Sequence, residues 1–365
     1  MIKTTPVTAL IMAGGTGGHV FPALALAKVL TSQGHQVEWL GTARGIEARL
    51  VPDAGYPLHE LAIGGVRGHG LGTKLQAPWR IFKAILQAAR VIREVKPDVV
   101  IGLGGFAAGP GGVAARILRK PLVIHEQNAI AGTTNKILAR IATKTLAAFP
   151  NALPGSQCIG NPVRAEIENL PVPAQRFANR SQPMHLLVLG GSLGAMAINK
   201  VMPSALALMP IELRPVVRHQ TGEKHLKDAE EYYRAASIGG DIVAFIDDMA
   251  EALAWADLVI CRAGALTVAE LAAAGVAAVL IPFPHAMDDH QTANARFLES
   301  AGAAVLRQQQ KLTENGLAQL LGDLLADRQQ LLVMAEAARA LAVPRSAELP
   351  SRWLRRTPRP VASRR

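Results

Sequence analysis

The sequence has few cysteines and few aromatic residues. Its 365 residues include two cysteines, Cys158 and Cys261, which lie far apart and match no zinc-ligand spacing. This usage fits a reducing compartment, and we expect both to be small buried residues rather than metal ligands or nucleophiles. Aromatic residues make up 4% of the chain and hydrophobic residues 50%. The composition therefore excludes a disordered chain and predicts cores built from aliphatic side chains and alanine.

Long uninterrupted apolar runs are also lacking. Long stretches without a charged residue include 4–27, 99–115 and 271–287, and glycine or proline interrupts each of them. None supplies the roughly 20 consecutive apolar residues that a transmembrane helix needs. The start of the chain has no signal-peptide pattern. We therefore expect no segment that crosses a membrane.

Acidic residues are scarce in the first half of the chain. Residues 1–162 carry a charge balance of +10, whereas 163–343 carry −5 and 344–365 carry +6, within a net charge of +11. The asymmetry predicts an anionic partner for the first half. Nucleic acid would satisfy the charge, but zinc-finger spacing, an RRM signature and aromatic–basic interleaving are all absent. An anionic membrane surface is therefore the better prediction.

Short apolar runs alternate with helical patterns in both halves. This alternation predicts an α/β protein with parallel, doubly wound sheets. A stretch rich in proline, asparagine and glycine, 151–183, is interpreted as the connection between two domains. The predicted strands are 7–13, 36–40, 98–103 and 122–126 in the first half, and 186–189, 215–219, 242–245, 258–261 and 278–281 in the second.

Three glycine clusters follow predicted strands, at 14–18, 102–105 and 190–194. Glycine lets backbone N–H groups approach a phosphate, while the next helix turns its positive end toward the anion. Tight strand-to-helix packing explains any single loop equally well. A dinucleotide-binding oxidoreductase is a rival, but the first loop is not G-x-G-x-x-G and the second strand is followed by no ribose-binding carboxylate.

Several polar residues at these loops are candidates for chemistry. His19 ends the first loop, where its imidazole can be a general base, bind a hydroxyl or phosphate oxygen, or simply pack on the turn. Glu270, one turn into the helix after 258–261, suits either a ribose diol or the helix dipole. Residues 288–290 open another helix, where capping is favoured over a metal site because no zinc spacing is present. Gln291 offers a donor and an acceptor to a sugar hydroxyl.

Region 74–96 mixes apolar and basic residues at helical spacing. An ordinary core-facing helix and an interfacial patch that binds anionic lipid both fit this pattern. The apolar members are Leu75, Trp79, Phe82, Ile85 and Leu86, and the basic members are Lys74, Arg80, Lys83, Arg90 and Arg93.

As a set, the loop sequences resemble the MurG family, the GT-B glycosyltransferases of family 28. The resemblance extends over about residues 9–342. In chain order the matching motifs are GGTGGHVFP at 14–22, GGF at 104–106, HEQN at 125–128, GNPVR at 160–164, GGSLGA at 190–195 and RAGALT at 262–267.

The resemblance implies two doubly wound Rossmann-like domains that face each other across a cleft. Residues 1–162 would form the acceptor and membrane-associating domain, and 163–340 the UDP-GlcNAc domain. A helix at about 341–357 would pack back on the first domain, and 358–365 would form a basic tail.

The resemblance also implies an activity. The enzyme would transfer GlcNAc with inversion from UDP-GlcNAc to the C4 hydroxyl of lipid I, forming lipid II for peptidoglycan, without a cofactor or a metal. It would work peripherally on anionic lipid at the cytoplasmic face of the bacterial inner membrane. Cell-wall synthesis and division proteins are further expected partners, and nucleic acid is not.

Site residues are carried over by motif position. His19 would be the general base, and Gly104, Gly105, Phe106 and His125 would lie on the acceptor side. The UDP-GlcNAc site would comprise Thr16, Gly17, Gly18, Asn128, Arg164, Ser192, Ile246, Ala265, Leu266, Thr267, Val268, Ala269, Glu270 and Gln291.

Within that set, Arg164 and Ser192 would contact the diphosphate or nucleotide, and the backbone of Ile246 the uracil. Glu270 would bind the ribose and Gln291 the sugar. The chain departs from the family pattern at Phe106, where a tyrosine is expected, so a phenol contact is absent. Alanines at 107–108 replace the more usual Val-Ser pair, and one extra residue after His285 makes the alignment of Gln291 less secure than that of Glu270.

Other readings remain beside this one. A different GT-B enzyme, such as a diacylglycerol galactosyltransferase or a UDP-GlcNAc 2-epimerase, would share the loops. A noncatalytic scaffold that binds lipid or nucleotide is a further alternative. The complete set of loops disfavours it, because such a scaffold would not require all of them.

Overall fold

The computed structural model describes residues 6–62, 71–178, 180, 182–191 and 194–348, with only the backbone described at 71–76 and at 287. Among these residues the chain forms two compact units. The first contains the residues up to Arg164 and again those from Arg345 to Glu348, and the second contains Ala165 to Pro344.

The first unit is built on a parallel sheet whose described strands lie in the order β3-β2-β1-β4-β5-β6-β7. The strands are β1 (Thr8–Ala13), β2 (Gln36–Thr42), β3 (Leu58–Leu61), β4 (Val99–Gly104), β5 (Leu122–Glu126), β6 (Lys144–Ala147) and β7 (Gln157–Cys158). The helices are α1 (Gly17–Ser32), α2 (Glu47–Asp53), α3 (Leu71–Val95), α4 (Ala108–Ile117) and α5 (Thr133–Ala139).

Strand β1 lies inside this sheet, between β2 and β4, and is buried on both faces. Ala9 and Ile11 pack into the hydrophobic cluster on one face, and Leu10 and Met12 into the cluster on the other. A strand covered on both faces needs apolar residues at every position, which is why this segment reads as a continuous apolar run.

The second unit repeats this plan with the described strand order β10-β9-β8-β11-β12-β13, again all parallel. Its strands are β8 (His185–Leu189), β9 (Val216–Gln220), β10 (Asp241–Val243), β11 (Leu258–Cys261), β12 (Ala277–Leu280) and β13 (Ala304–Leu306). Its helices are α6 (Ala165–Glu168), α7 (Pro173–Ala178), α8 (Met196–Leu208), α9 (Leu226–Ala235), α10 (Met249–Trp255), α11 (Ala265–Ala274), α12 (His290–Glu299), α13 (Glu314–Ala326) and α14 (Arg328–Ala340).

The predicted α/β class with two doubly wound parallel sheets is confirmed. The expectation of two buried cysteines is half wrong. Cys261 is buried in β11, where desolvation raises the pKa of its thiol to about 12, but Cys158 is exposed on the two-residue edge strand β7. Strand β7 is the last in the order and has a neighbouring strand on one side only, which leaves Cys158 exposed.

The end of the chain differs from the helix expected over 341–357. Residues 341–348 form turns, and 349–365 lie outside the described residues. Arg345 to Glu348 nevertheless belong to the first unit, where the Ser346 hydroxyl donates a hydrogen bond to the backbone oxygen of Asn161. None of the helices in the described ranges is long and apolar enough to span a bilayer.

Candidate active site

In the first sheet the strand order reverses between β1 and β4, which is where ligands bind in open α/β sheets. The loops that leave the carboxyl ends of these two strands touch each other. A Cβ added to Gly105 would lie 2.2 Å from the backbone oxygen of Gly14, and Gly105 has a φ of +84°. Only glycine fits there, because any side chain would clash with the other loop. The backbones of the two predicted loops therefore pack directly against each other.

A buried carboxylate holds the first glycine loop in place. Glu47 Oε2 accepts from the backbone N–H of Gly15 at 2.8 Å, and Oε1 accepts from the Thr42 hydroxyl at 2.7 Å and the Thr42 N–H at 3.1 Å. Glu47 is fully buried, and these donors compensate its desolvation. Sequence reasoning missed Glu47, since its only signal was an acidic residue between glycine and apolar segments.

Helix α1 begins directly after this loop. Thr16 is its N-cap, with extended backbone and no capping hydrogen bond from its exposed side chain. The helix starts at Gly17, so Gly17 and Gly18 lie in its first turn. First-turn N–H groups lack partners within the helix and carry the positive end of its dipole, an arrangement suited to a phosphate.

His19 is half-buried in the same turn and packs closely on the second loop. A Cβ added to Gly104 would lie 2.7 Å from the His19 ring. On its other side His19 Nδ1 lies 3.0 Å from Gln127 Oε1. The structure thus brings together His19, Gly104 and Gly105, while Phe106, just beyond them, is 49% exposed.

The HEQN segment follows β5 and surrounds a second buried carboxylate. Glu126 accepts hydrogen bonds from the N–H of Asn128 at 2.9 Å, the N–H of Gly132 at 3.1 Å and the Asn135 amide at 2.8 Å. It also lies 3.3 Å from Asn128 Nδ2, so the Asn128 side chain is oriented through its nitrogen. His125 points inward and is 2% exposed.

At the carboxyl end of β8, glycines again permit close backbone approach. A Cβ on Gly194, whose φ is +76°, would lie 2.4 Å from the backbone oxygen of Thr221. Gly190 N–H donates to the Gln220 oxygen at 2.8 Å, which ties the start of the loop to β9. Ser192 and Leu193 lie outside the described residues, so the predicted Ser192 contact stays a prediction.

Behind this loop lies a buried polar group that sequence reasoning did not find. Asn199 donates to the Thr221 oxygen at 3.0 Å, and its Oδ1 lies 3.1 Å from His219 Nε2. The Tyr233 hydroxyl lies 2.9 Å from His219 Nδ1. Burial lowers the pKa of His219 to about 3, so this imidazole is neutral at pH 7.

Helix α11 follows β11 and carries most of the predicted nucleotide contacts. Gly264 caps it with extended backbone and no side-chain bond, which leaves first-turn N–H groups at the carboxyl edge of the sheet. Ala265 and Val268 are buried, while Leu266, Thr267 and Ala269 are half-buried. Glu270 is 8% exposed, so its carboxylate is largely removed from bulk water.

The remaining predicted residues occupy loops and helix ends. Ile246 is half-buried between β10 and α10, and Arg164 is half-buried at the end of the first unit. Gln291 is half-buried in α12, and its Oε1 accepts from the Phe283 N–H at 2.9 Å. Asp289 sits at the N-cap of α12 but makes no backbone cap, since it accepts from the Thr292 hydroxyl at 2.7 Å.

No group of three or more His, Cys, Asp and Glu side chains within the described ranges is arranged to hold a metal ion. Arg262, the cation beside the α11 loop, donates to the backbone oxygens of Ile281 and Pro282 and to Gln309 Oε1. Its guanidinium therefore supports the β12 loop, and burial lowers its pKa.

Comparison with known proteins gives matches along most of the chain. The model of the glycosyltransferase family 28 N-terminal domain matches residues 9–147, and that of the family 28 C-terminal domain matches 185–349. The crystal structure of Acinetobacter baumannii MurG superposes with a TM-score of 0.84 at 45% identity, covering 96% of this chain and 100% of that one.

Two curated relatives carry the name UDP-N-acetylglucosamine–N-acetylmuramyl-(pentapeptide) pyrophosphoryl-undecaprenol N-acetylglucosamine transferase. The protein from Cellvibrio japonicus is 57% identical over 344 residues, 93% of this chain and 95% of the relative. The protein from Cupriavidus metallidurans is 55% identical over 340 residues, with the same coverage of 93% and 95%.

Two Rossmann-like domains with glycine loops at their strand ends, together with these similarities, define a sugar transferase of the GT-B class. The chain belongs to glycosyltransferase family 28.

Proposed function

We propose that this enzyme transfers N-acetylglucosamine from UDP-GlcNAc to the C4 hydroxyl of lipid I, the undecaprenyl-pyrophosphoryl N-acetylmuramyl-pentapeptide, giving lipid II for peptidoglycan. The observation that carries this proposal is identity of 55% and 57% over 93% of the chain with transferases named for this donor and acceptor. Full-length similarity at this level supports a common reaction as well as a common fold.

The second unit binds the nucleotide in this proposal. Its α11 N-terminus and glycine loop supply backbone N–H groups for phosphate, and the nearly buried Glu270 carboxylate accepts hydrogen bonds from a ribose diol. The backbone of Ile246 pairs with the uracil, Gln291 contacts the sugar, and Arg164 and Ser192 contact the diphosphate. Residues 265–269 line the nucleotide.

The first unit carries the acceptor side and the proton transfer. The attacking hydroxyl must lose a proton as the new bond forms, and His19 is the general base. The transferred sugar and the phosphates are contacted by Thr16, Gly17, Gly18 and Asn128. The charge that develops on the UDP leaving group is stabilised by N–H groups and helix dipoles.

Helix α3 attaches the enzyme to the membrane surface. Its buried face contains Ala84, Ala88 and Ile92, while Trp79 is 59% exposed and Phe82 48% exposed. The sequence left open whether these apolar residues face the core, and Ile85 alone of those with described side chains packs against it. We place the enzyme peripherally at the cytoplasmic face of the inner membrane, where cell-wall synthesis and division proteins would be its neighbours.

Acceptor dependence tests the reaction. The purified enzyme with UDP-GlcNAc should release UDP only when a short-chain lipid I analogue is present. Equal release of UDP without the analogue, or conversion of UDP-GlcNAc to another UDP-sugar, would exclude the proposed transfer and favour a hydrolase or an epimerase.

His19→Ala tests the base. General base catalysis contributes about 10²- to 10⁴-fold, so kcat should fall on that order while the Kd for UDP-GlcNAc changes little. His59→Ala is a matched control, because His59 belongs to the same unit but pairs with Glu38 on β2 at 2.8 Å. An unchanged kcat in His19→Ala would remove it as the base.

A further inference from the structure

Behind His19 lies a series of hydrogen bonds. The atom types in these bonds determine which group donates and which accepts in each. Gln127 is 1% exposed, and its Nε2 lies 3.0 Å from the backbone oxygen of His125. A carbonyl oxygen can only accept a hydrogen bond, so the nitrogen of the Gln127 amide must be on this side. The amide oxygen therefore faces His19, where Oε1 lies 3.0 Å from Nδ1.

This orientation determines where His19 carries its hydrogen. An amide oxygen has no proton to give, so His19 Nδ1 must be the donor of this bond. In the neutral imidazole Nε2 then holds the lone pair and is the nitrogen able to take a proton. The unsubstituted Cα of Gly104 holds the ring from another side, because a Cβ there would lie 2.7 Å from His19 Nδ1 and Cε1.

The far end of the chain of bonds has a matching direction. His125 Nε2 lies 2.9 Å from the backbone oxygen of Gly160 and must donate to it. In the neutral ring His125 Nδ1 is then an acceptor, and it lies 3.1 Å from Gln127 Nε2. Burial lowers the pKa of His125, which favours this neutral form. Every donor in the series His19, Gln127, His125 thus meets an acceptor.

We propose that Gln127 and His125 are positioning residues that hold His19 in the tautomer with a hydrogen on Nδ1 and a lone pair on Nε2. This inference rests on the proposed role of His19 as base. It also gives His125 a different task from the acceptor contact expected from the motif, since both of its ring nitrogens are engaged within the first unit.

Nitrogen NMR of the histidine-labelled enzyme tests the tautomer directly. The two nitrogens of a neutral ring differ in chemical shift according to which one is protonated, and the His19 signals are those absent from His19→Ala. We expect the Nδ1–H form in the native enzyme and a mixture of tautomers in Gln127→Met, which keeps the length of the side chain but removes its amide. A native Nε2–H form, or an unchanged tautomer in Gln127→Met, would overturn the inference.

Kinetics provides the second measurement. Gln127→Met should lower kcat by about 10- to 100-fold, the value of one or two buried hydrogen bonds, with little change in the KM for UDP-GlcNAc. Circular dichroism and UDP binding check that the variant is folded. If His19→Ala retains full kcat while native His19 still shows the Nδ1–H form, the proposed base fails and the tautomer assignment survives. The two failures are therefore distinguishable.

Discussion

At the scale of single residues, buried carboxylates set the positions of loops that the sequence identifies only by their motifs. Glu47 bonds to Gly15 and Thr42, and Glu126 bonds to Asn128, Gly132 and Asn135. A buried carboxylate is costly unless it accepts several hydrogen bonds, and each of these accepts at least three. The glycine loop at 14–18 was visible in the sequence, but Glu47, which holds it, comes from another segment and was not identified. Glu126 belongs to the HEQN motif, yet its hydrogen bonds to the following residues were not predicted.

Replacing Gly105 by alanine should destabilise the first unit and abolish transfer activity. The added Cβ would meet the backbone oxygen of Gly14 at 2.2 Å in a left-handed conformation, and backbone atoms have little freedom to move away. We expect a loss of at least about 1–3 kcal/mol in the free energy of unfolding, together with loss of transfer activity. Urea unfolding measures the first effect.

Gly322→Ala is the matched control. Gly322 lies inside α13, and a Cβ there would meet no heavy atom within 4 Å, so alanine should stabilise the second unit by roughly 0.5–1 kcal/mol. If Gly105→Ala unfolds at the native urea concentration, the contact between the two loops is not as close as described.

His219 should make the second unit sensitive to acid. Burial disfavours the charged ring and lowers the pKa of His219 in the folded protein to about 3, from an ordinary value of 6.5. Between these two values the unfolded chain binds more protons, so stability is complete above pH 6.5 and falls as the pH decreases toward 3. The slope from this one group approaches about 1.4 kcal/mol per pH unit.

The slope is measured by urea unfolding at pH 7.5, 6 and 5, with hydrogen exchange of peptides from the second unit as the probe of its unfolding. His219→Gln cannot take up that proton, so its stability should depend less steeply on pH even though it is lower at pH 7.5. Equal slopes in the two proteins would show that His219 is not the group responsible.

At the scale of elements, the central strands could be predicted, whereas the outer strands could not, apart from β10, which overlaps the predicted 242–245. β1, β5 and β11 match their predicted ranges closely because each is an apolar run covered on both faces. β3, β6 and β13 are short and partly exposed, so their composition does not separate them from loops. The start of helix α1 could not be read from helix propensity for a different reason: its first two residues are glycines, which propensity disfavours.

Helix α3 shows what periodicity alone leaves open. The pattern predicted an amphipathic helix, but the face that packs on the sheet is the one with Ala84, Ala88 and Ile92, and several larger apolar residues lie outside. Trp79 and Phe82 stack with ring centroids 5.7 Å apart, and Lys83 Nζ lies 5.3 Å from the Trp79 ring centre. In α3 the small residues Ala84 and Ala88 face the core while Trp79 and Phe82 are exposed, so the size of the apolar residues does not identify the core face.

Helix capping in the second unit gives a prediction at this scale. Thr313 is the N-cap of α13, and its hydroxyl accepts from the Gly316 N–H at 3.1 Å. Thr313→Ala should destabilise the unit by about 1 kcal/mol, while Thr313→Ser keeps the acceptor and should retain most of the stability. Thermal unfolding compares the three proteins, and equal losses for alanine and serine would rule out the cap as the cause.

At the scale of the whole molecule, the uneven charge and the apolar face of α3 predict how the enzyme meets lipid. The first 162 residues carry a balance of +10, and 163–343 carry −5. The enzyme should therefore co-sediment with vesicles containing anionic phosphatidylglycerol better than with neutral ones. Binding should weaken between 0.05 and 0.5 M salt, both rough values chosen to span the screening range.

Substitution separates the apolar part of this attraction from the charge. Trp79→Ser with Phe82→Ser should reduce binding at both salt concentrations, because their exposed rings would enter the interface. Ile211→Ser, on the second unit and 71% exposed in the native chain, serves as the control. Equal effects of both changes would argue against α3 as the membrane face.

The family relationship, the strand-end loops and the proposed base converge on one reaction, whose product can be analysed directly. Radiolabelled UDP-GlcNAc and a short-chain lipid I analogue are incubated with the purified enzyme, and the lipid product and UDP are both quantified. We expect one lipid-linked GlcNAc for each UDP formed, joined through a β-1,4 bond. The coupling between the anomeric carbon and its proton identifies the β configuration, and the correlation across the glycosidic oxygen identifies the acceptor position. UDP formed without labelled lipid, or an α-linked product, would contradict the proposed reaction.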